Sequence, residues 1–112
     1  MRVSELVKEL NLKVVAGQNG LENEISGGYV SDLLSDVMGN SKAGQIWITL
    51  QTHKNVAAIA SLKELSAIIL VSNFKAAPDT IDHCNEENIP VLCTELSAFE
   101  IAGLVYNAIT VD

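Results

Sequence analysis

The stretch Ser26-Gly27-Gly28-Tyr29-Val30-Ser31-Asp32 has the composition of a binding site. Two adjacent glycines let a ligand or another backbone approach closely, and hydroxyls stand on either side of them. The helix expected to follow would present free amides where an anion could be held. The same stretch also reads as a bulge or a chain crossing. Asp32 and Asp36 are four residues apart, which on a helix sets both carboxylates on one side. Such a pair could hold a cation or serve as general acid and base; the helix dipole alone also favours acidic groups there. Gln51-Thr52-His53-Lys54-Asn55 follows a predicted strand, and open α/β sheets bind ligands beyond the carboxyl ends of their strands. Thr94 and Ser97 follow another predicted strand and would share that rim if the two strands run parallel. His53 can move a proton near neutral pH, but no nucleophile or metal ligand flanks it, so it reads first as a polar residue at a helix start. The candidate ligand-binding set is therefore Ser26, Gly27, Gly28, Ser31, Asp32, Gln51, Thr52, His53, Thr94 and Ser97.

No signature of catalysis or of a resident cofactor accompanies these residues. The chain has no GxxxxGK[ST] loop, no GxSxG elbow, no HExxH and no CxxC. His83 and Cys84 are adjacent, so on a helix they point about 100° apart and make a poor metal pair. Cys84 reads as a core residue beside Ile81, and Cys84 and Cys93 both read as free thiols. No metal and no cofactor is expected.

Charge narrows the partners. The 112 residues include 7 Lys+Arg against 14 Asp+Glu, a formal net charge of −7. Residues 1–75 balance, with 7 basic and 7 acidic groups; residues 76–112 hold the other 7 acidic residues and no Lys or Arg. Gripping a phosphate backbone needs clustered cations, so direct DNA or RNA binding is not expected. The acidic third reads as solvated helix faces or as a surface for a basic partner. No apolar run approaches the roughly 20 residues of a membrane span, and Met1-Arg2-Val3-Ser4-Glu5 lacks a signal core, so a cytoplasmic protein is expected. A hydrophobic fraction of 48% in a chain this short fits one domain over residues 1–112, with an apolar patch left to cover against a second copy.

The elements that must position these residues follow from periodicity. A short helix is expected over Ser4 to Asn11, capped by Ser4, then a strand at Lys13 to Ala16 and a turn at Gly17-Gln18-Asn19-Gly20. Glu24 to Val30 reads as an extended segment interrupted by its glycines, and Asp32 to Met38 as a helix. From Gln45 the pattern alternates strand and helix. Gln45 to Leu50 is β-branched and aromatic; Thr52 would cap a helix bearing Val56, Ile59, Ala60 and Leu62. Ala67 to Val71 is continuously apolar, as in strands buried on both faces. Asp79 to Glu87 is a helix opened by Pro78, and Ile89 to Cys93 a strand. Ser97 with Glu100 forms a capping box for a last helix with Ile101, Leu104, Val105, Ala108 and Ile109 on one face. Trp47, between Ile46 and Ile48, reads as core; exposed, it would mark a dimer anchor. The fold class is α/β, a mostly parallel sheet with flanking helices and right-handed crossovers. The places of the first two strands remain open.

Three segments carry a resemblance. Ile25 to Val37, Gly44 to His53 and Ile89 to Glu100 resemble stand-alone DRTGG-domain proteins, and the likeness covers nearly the whole chain. The literal Asp-Arg-Thr-Gly-Gly string is absent; Glu24-Ile25-Ser26-Gly27-Gly28 stands nearest to it. A broader resemblance, through the pattern of Gly44 to Val71, is to the N-terminal domain of HPr kinase/phosphorylase and of Mur ligases. It implies an α/β fold with a three-layer tendency and an accessory role, because catalysis in those proteins lies in other domains. In some pyrophosphatases a DRTGG domain accompanies nucleotide-sensing CBS domains and helps form a dimer. Stand-alone members in anaerobic bacteria are often encoded near redox or hydrogenase components and sensor kinases. The resemblance and the absent motifs together imply a non-catalytic regulatory module. It would be homodimeric and would contact a small molecule, such as a nucleotide or phosphorylated metabolite, or a partner protein. Two alternatives stay open: a pure interaction subunit of a redox or signalling system, and a small enzyme using His53 with Asp32 or Asp36.

Overall fold

A computed structural model describes residues 1–110. The elements are α1 (Val3–Leu10), β1 (Lys13–Ala16), β2 (Gly27–Val30), α2 (Leu34–Asn40), β3 (Gln45–Thr49), α3 (Asn55–Leu62), β4 (Ala67–Leu70), α4 (Pro78–Glu86), β5 (Val91–Cys93) and α5 (Ala98–Thr110). The five strands form one sheet in the order β1-β5-β4-β3-β2. Strands β2 to β5 run parallel, and β1 pairs antiparallel with β5, with a bulge between Val14 and Ala16. The first two strands thus lie at opposite edges.

Both faces are covered, so the architecture has three layers. On one face Trp47, Ile68, Leu70 and Val91 meet Val37 of α2, Val56, Ile59 and Ala60 of α3, and Cys84 of α4. On the other, Ile46, Ile48, Ile69 and Leu92 meet Val3 and Leu6 of α1 and Ile101 and Val105 of α5. Alternate residues of one strand feed opposite cores, which is why Ala67 to Leu70 are apolar without a break. Trp47 is fully buried, and its indole N–H donates to the Ser31 carbonyl at 2.8 Å. It is core and no dimer anchor.

The helix ends correct several expectations. The Ser97–Glu100 box forms: the Ser97 hydroxyl accepts from the Glu100 amide, and the Glu100 carboxylate accepts from the Ser97 amide. Ser4 does not cap α1; the Glu5 carboxylate reaches back to the Arg2 amide at 2.8 Å, and the Ser4 hydroxyl donates to Glu22 instead. α2 begins at Leu34, so Asp32 lies outside it and does not share a helix face with Asp36. Thr52 stands three residues before α3 and caps nothing; the start is made by His53, whose Nδ1 accepts from the Asn55 amide. Leu62 and Leu104 are exposed and sit outside the cores. The glycine pair interrupts no strand: Gly27 opens β2, and its register with β3 is unbroken from Gly27 to Val30.

Gly17 is where the fold needs a glycine. Its φ is +69°, and a Cβ there would stand 1.9 Å from the Ile89 carbonyl oxygen. Gly39, inside α2, has open space around its Cβ position. Gly17→Ala should therefore lower the urea midpoint by the equivalent of about 3 kcal/mol or more, strain and backbone clash acting together. Gly39→Ala should raise it by up to about 1 kcal/mol through helix propensity. Urea unfolding with unchanged slope checks both.

Candidate functional site

Parallel strands bring the ends of β2, β3, β4 and β5 to one rim. Gln51, Thr52, His53, Thr94 and Ser97 follow the carboxyl ends of β3 and β5, the rim on which the sequence analysis set them, and Ser31 and Asp32 follow the carboxyl end of β2. Ser26, Gly27 and Gly28 do not join them. They lie at the opposite, amino end of β2, where the Ser26 amide donates to the Gly44 carbonyl and the Ser26 hydroxyl to Ala43. A Cβ on Gly27 or Gly28 would find only ordinary contact distances, 3.7 Å or longer, so no backbone presses on either glycine.

The β2–β3 half of the rim is closed by its own hydrogen bonds. Thr49 is buried at the end of β3, and its hydroxyl donates to Asp32 Oδ1 at 2.8 Å. The same oxygen accepts from the Leu50 amide at 2.9 Å. The Thr49 hydroxyl in turn accepts from the Gln51 amide, and the Gln51 side chain donates to the Asp32 carbonyl. Asp32 thus satisfies a buried hydroxyl and ties the β2–α2 loop to the strand beside it. Thr52 contributes its carbonyl, which accepts from the Thr80 hydroxyl. Asp36 belongs to a different cluster: its carboxylate accepts from the Tyr29 hydroxyl and the Asn40 amide, each at 2.9 Å. His53 hydrogen-bonds neither aspartate, so the geometry assembles no acid–base pair from these three.

The β4–β5 half is different. The chain leaves β4 toward α4 on one face and leaves β5 toward α5 on the other. Strand ends whose chains part to opposite faces leave a crevice between their loops. Its floor is two backbone bonds, from Ser72 to Leu96 and from Asn73 to Thr94, made by two consecutive residues at positive φ. Above it are two adjoining clefts of about 550 and 240 Å³. Lys13, Asn73, Lys75 and Cys93 line both; Thr94 lines the larger and Phe74 the smaller. Lys13 and Cys93 are register partners across β1 and β5, so they share a face. Of these, the sequence had pointed only to Thr94. The signal that could have found the rest is that Lys13 opens an apolar strand and Lys75 lies in the loop after another; what pairs them is the antiparallel return of β1.

The thiols report the same geometry. Burial pushes Cys84 up to about 11. Burial also raises Cys93, against the pull of Lys13 and Lys75. Cys84 is fully buried and Cys93 partly exposed. A thiol reagent should therefore modify one cysteine in the native protein, Cys93, and both in denaturant, read by intact mass and peptide mapping. At Asp36, the hydroxyls of Ser31 and Tyr29 and the Asn40 amide hold the carboxyl below the usual range. Its contribution to stability is present above the unfolded value of about 3.9 and is lost as pH falls through the lower folded value. Tyr29→Phe should raise the Asp36 value and shrink that acid-limb pH dependence; carboxyl-carbon NMR titration reads the first, urea unfolding between pH 5 and 2 the second.

Comparison with known proteins places this geometry. No curated protein matches the chain. Among solved structures, it is similar to the CBS and DRTGG domains of the regulatory region of Clostridium perfringens pyrophosphatase, complexed with its activator diadenosine tetraphosphate. The TM-score is 0.75 at 14% identity, over 94% of this chain and 46% of that one, so this chain spans about half the length of the relative. At that identity the likeness is one of fold. Residues 5–108 match the DRTGG domain over nearly the full length, and the chain belongs to the DRTGG domain family.

Proposed function

We propose that this protein is a non-catalytic regulatory module, a single domain that acts as a homodimer and senses a small molecule. The observation that carries the reading is the crevice between the β4–α4 and β5–α5 loops, an open, polar-lined cleft in a fold shared with a regulatory region that binds a nucleotide activator. Kinship with the N-terminal domain of HPr kinase/phosphorylase and Mur ligases, and a bacterial, cytoplasmic setting, belong to the same proposal. Among the described residues no helix is long and apolar enough to cross a membrane.

The dimer reading is supported by α5. Phe99 is 89% exposed and Tyr106 70%, one face of a helix on which Gly103 leaves open space. Residues 101–110 carry no charge. A two-fold interface sets a surface against its own copy, so in a chain of net charge −7 an uncharged patch is where self-association meets least repulsion. A second reading has its own observation: Asp79, Asp82 and Glu86 form an exposed acidic strip along α4 and make no ion pair among the described residues. That strip suits a basic partner surface; Asp112 of the acidic third lies outside the described residues. Salt-sensitive capture of a partner, lost in Asp82→Lys, would favour this second reading.

Native mass spectrometry of freshly purified protein tests the first reading. The expected species is a dimer carrying a reproducible added mass, and Phe99→Glu with Tyr106→Glu should shift it to monomer without changing the melting curve of the monomer unit. A wild-type monomer at micromolar concentration overturns the dimer; a bare protein that also takes up nothing from a metabolite extract overturns sensing.

A further inference from the structure

We infer that the crevice beside Cys93 is a binding site for a phosphorylated small molecule, with Lys13 and Lys75 holding the phosphate and the apolar cleft around Phe74 taking the remainder. The inference rests on the sensing reading and gives it a place and a ligand class.

Three observations carry it. First, the two lysines converge from distant parts of the chain. Lys13 opens β1 and Lys75 follows β4, yet both line both clefts. Second, neither makes an ion pair among the described residues, although the chain holds twice as many acidic as basic groups. Like cations side by side repel unless an anion joins them, so on an acidic protein this pairing is unspent attraction. Glu95 is the one carboxylate among the residues lining the larger cleft, and the smaller cleft has none. Third, the clefts differ in character. The larger carries Asn11, Asn73 and Thr94, donors that suit phosphate oxygens. The smaller is walled by Val15, Phe74, Ala76 and Ile81, and Phe74 is 44% exposed. Lys13, Lys75, Asn73 and Cys93 stand where the two meet. A ligand with a charged end and a planar or apolar end fits that division, because each end finds matching chemistry on one side of the lysines. The site lies beyond the carboxyl ends of β4 and β5, where their chains part to opposite faces, and shares no lining residue with the self-satisfied Asp32–Thr49–Gln51 network.

The test is amide NMR of the labelled full chain, titrated with sodium pyrophosphate and with ADP. Sodium chloride is adjusted to keep ionic strength constant, so general screening cancels. Saturable shifts are expected at Lys13, Asn73, Lys75, Cys93 and Thr94 with both probes. Lys13→Gln with Lys75→Gln should weaken both at least tenfold. ADP should bind several-fold tighter than pyrophosphate, and Phe74→Ser should erase that difference. Alkylation of Cys93 should slow in step with occupancy. Both lysines are exposed, so the double variant should melt as the wild type does. Shifts that drift without saturating, or that survive the double variant unchanged, overturn the phosphate site. Equal affinity for ADP and pyrophosphate overturns the role given to Phe74. Saturable shifts confined to another surface overturn this site while leaving the sensing reading standing.

Discussion

Burial of the central strands on both faces is the constraint from which the rest follows. Ala67 to Leu70 are all buried, and Ile46 to Thr49 beside them are too. Such strands expose no wet face, so helices must lie above and below. Three crossovers between parallel strands, through α2, α3 and α4, supply one layer. The second layer cannot come from the same sequence of crossovers and is built from the two ends of the chain, α1 and α5. The chain therefore changes faces twice, between α1 and α2 and again on leaving β5. The crevice at the β4–β5 ends is the geometric residue of the second change.

The rim of the sheet then divides by what its polar groups already do. At the β2–β3 ends, Asp32, Thr49 and Gln51 spend their hydrogen bonds on one another and on the backbone. A buried threonine hydroxyl without a partner would cost about 1–3 kcal/mol, and Asp32 removes that cost. At the β4–β5 ends backbone bonds close the floor, with the Thr94 hydroxyl accepting from the Leu96 amide, and the side chains of Lys13, Lys75 and Asn73 remain uncommitted. The same end of the same sheet thus holds a structural clasp and an open cleft on adjoining strand pairs.

Surface charge sorts the remaining faces. The exposed side of α4 is acidic, α5 beyond Glu100 exposes an uncharged face with Tyr106, and the cations near the crevice stand apart from both. A small molecule, a second copy and a basic partner would each meet a different surface. Thr94 and Leu96, whose carbonyls accept the two bonds of the crevice floor, lead directly into the capped start of α5.

The sequence by itself determined the element types from Gln45 onward, the parallel sheet, the capping box of α5 and the absence of known catalytic strings. These are local facts: a period of two or none against 3.6, a serine three residues before a glutamate, a proline at a first helical turn. It also identified the family through motifs in three segments. It misplaced Asp32 on a helix and Thr52 at a cap because boundaries depend on which neighbour a side chain finds; Thr49, seventeen residues away in the chain, outbids the helix for Asp32. It could not say at which end of the sheet Gly27–Gly28 lie, because strand polarity within a sheet does not show in a single strand. Only the tertiary structure put β1 antiparallel at the far edge, set Lys13 opposite Cys93, and brought Lys75 beside them. Pairings across tens of residues are decided by which faces must be buried together, and that is a property of the whole packed chain.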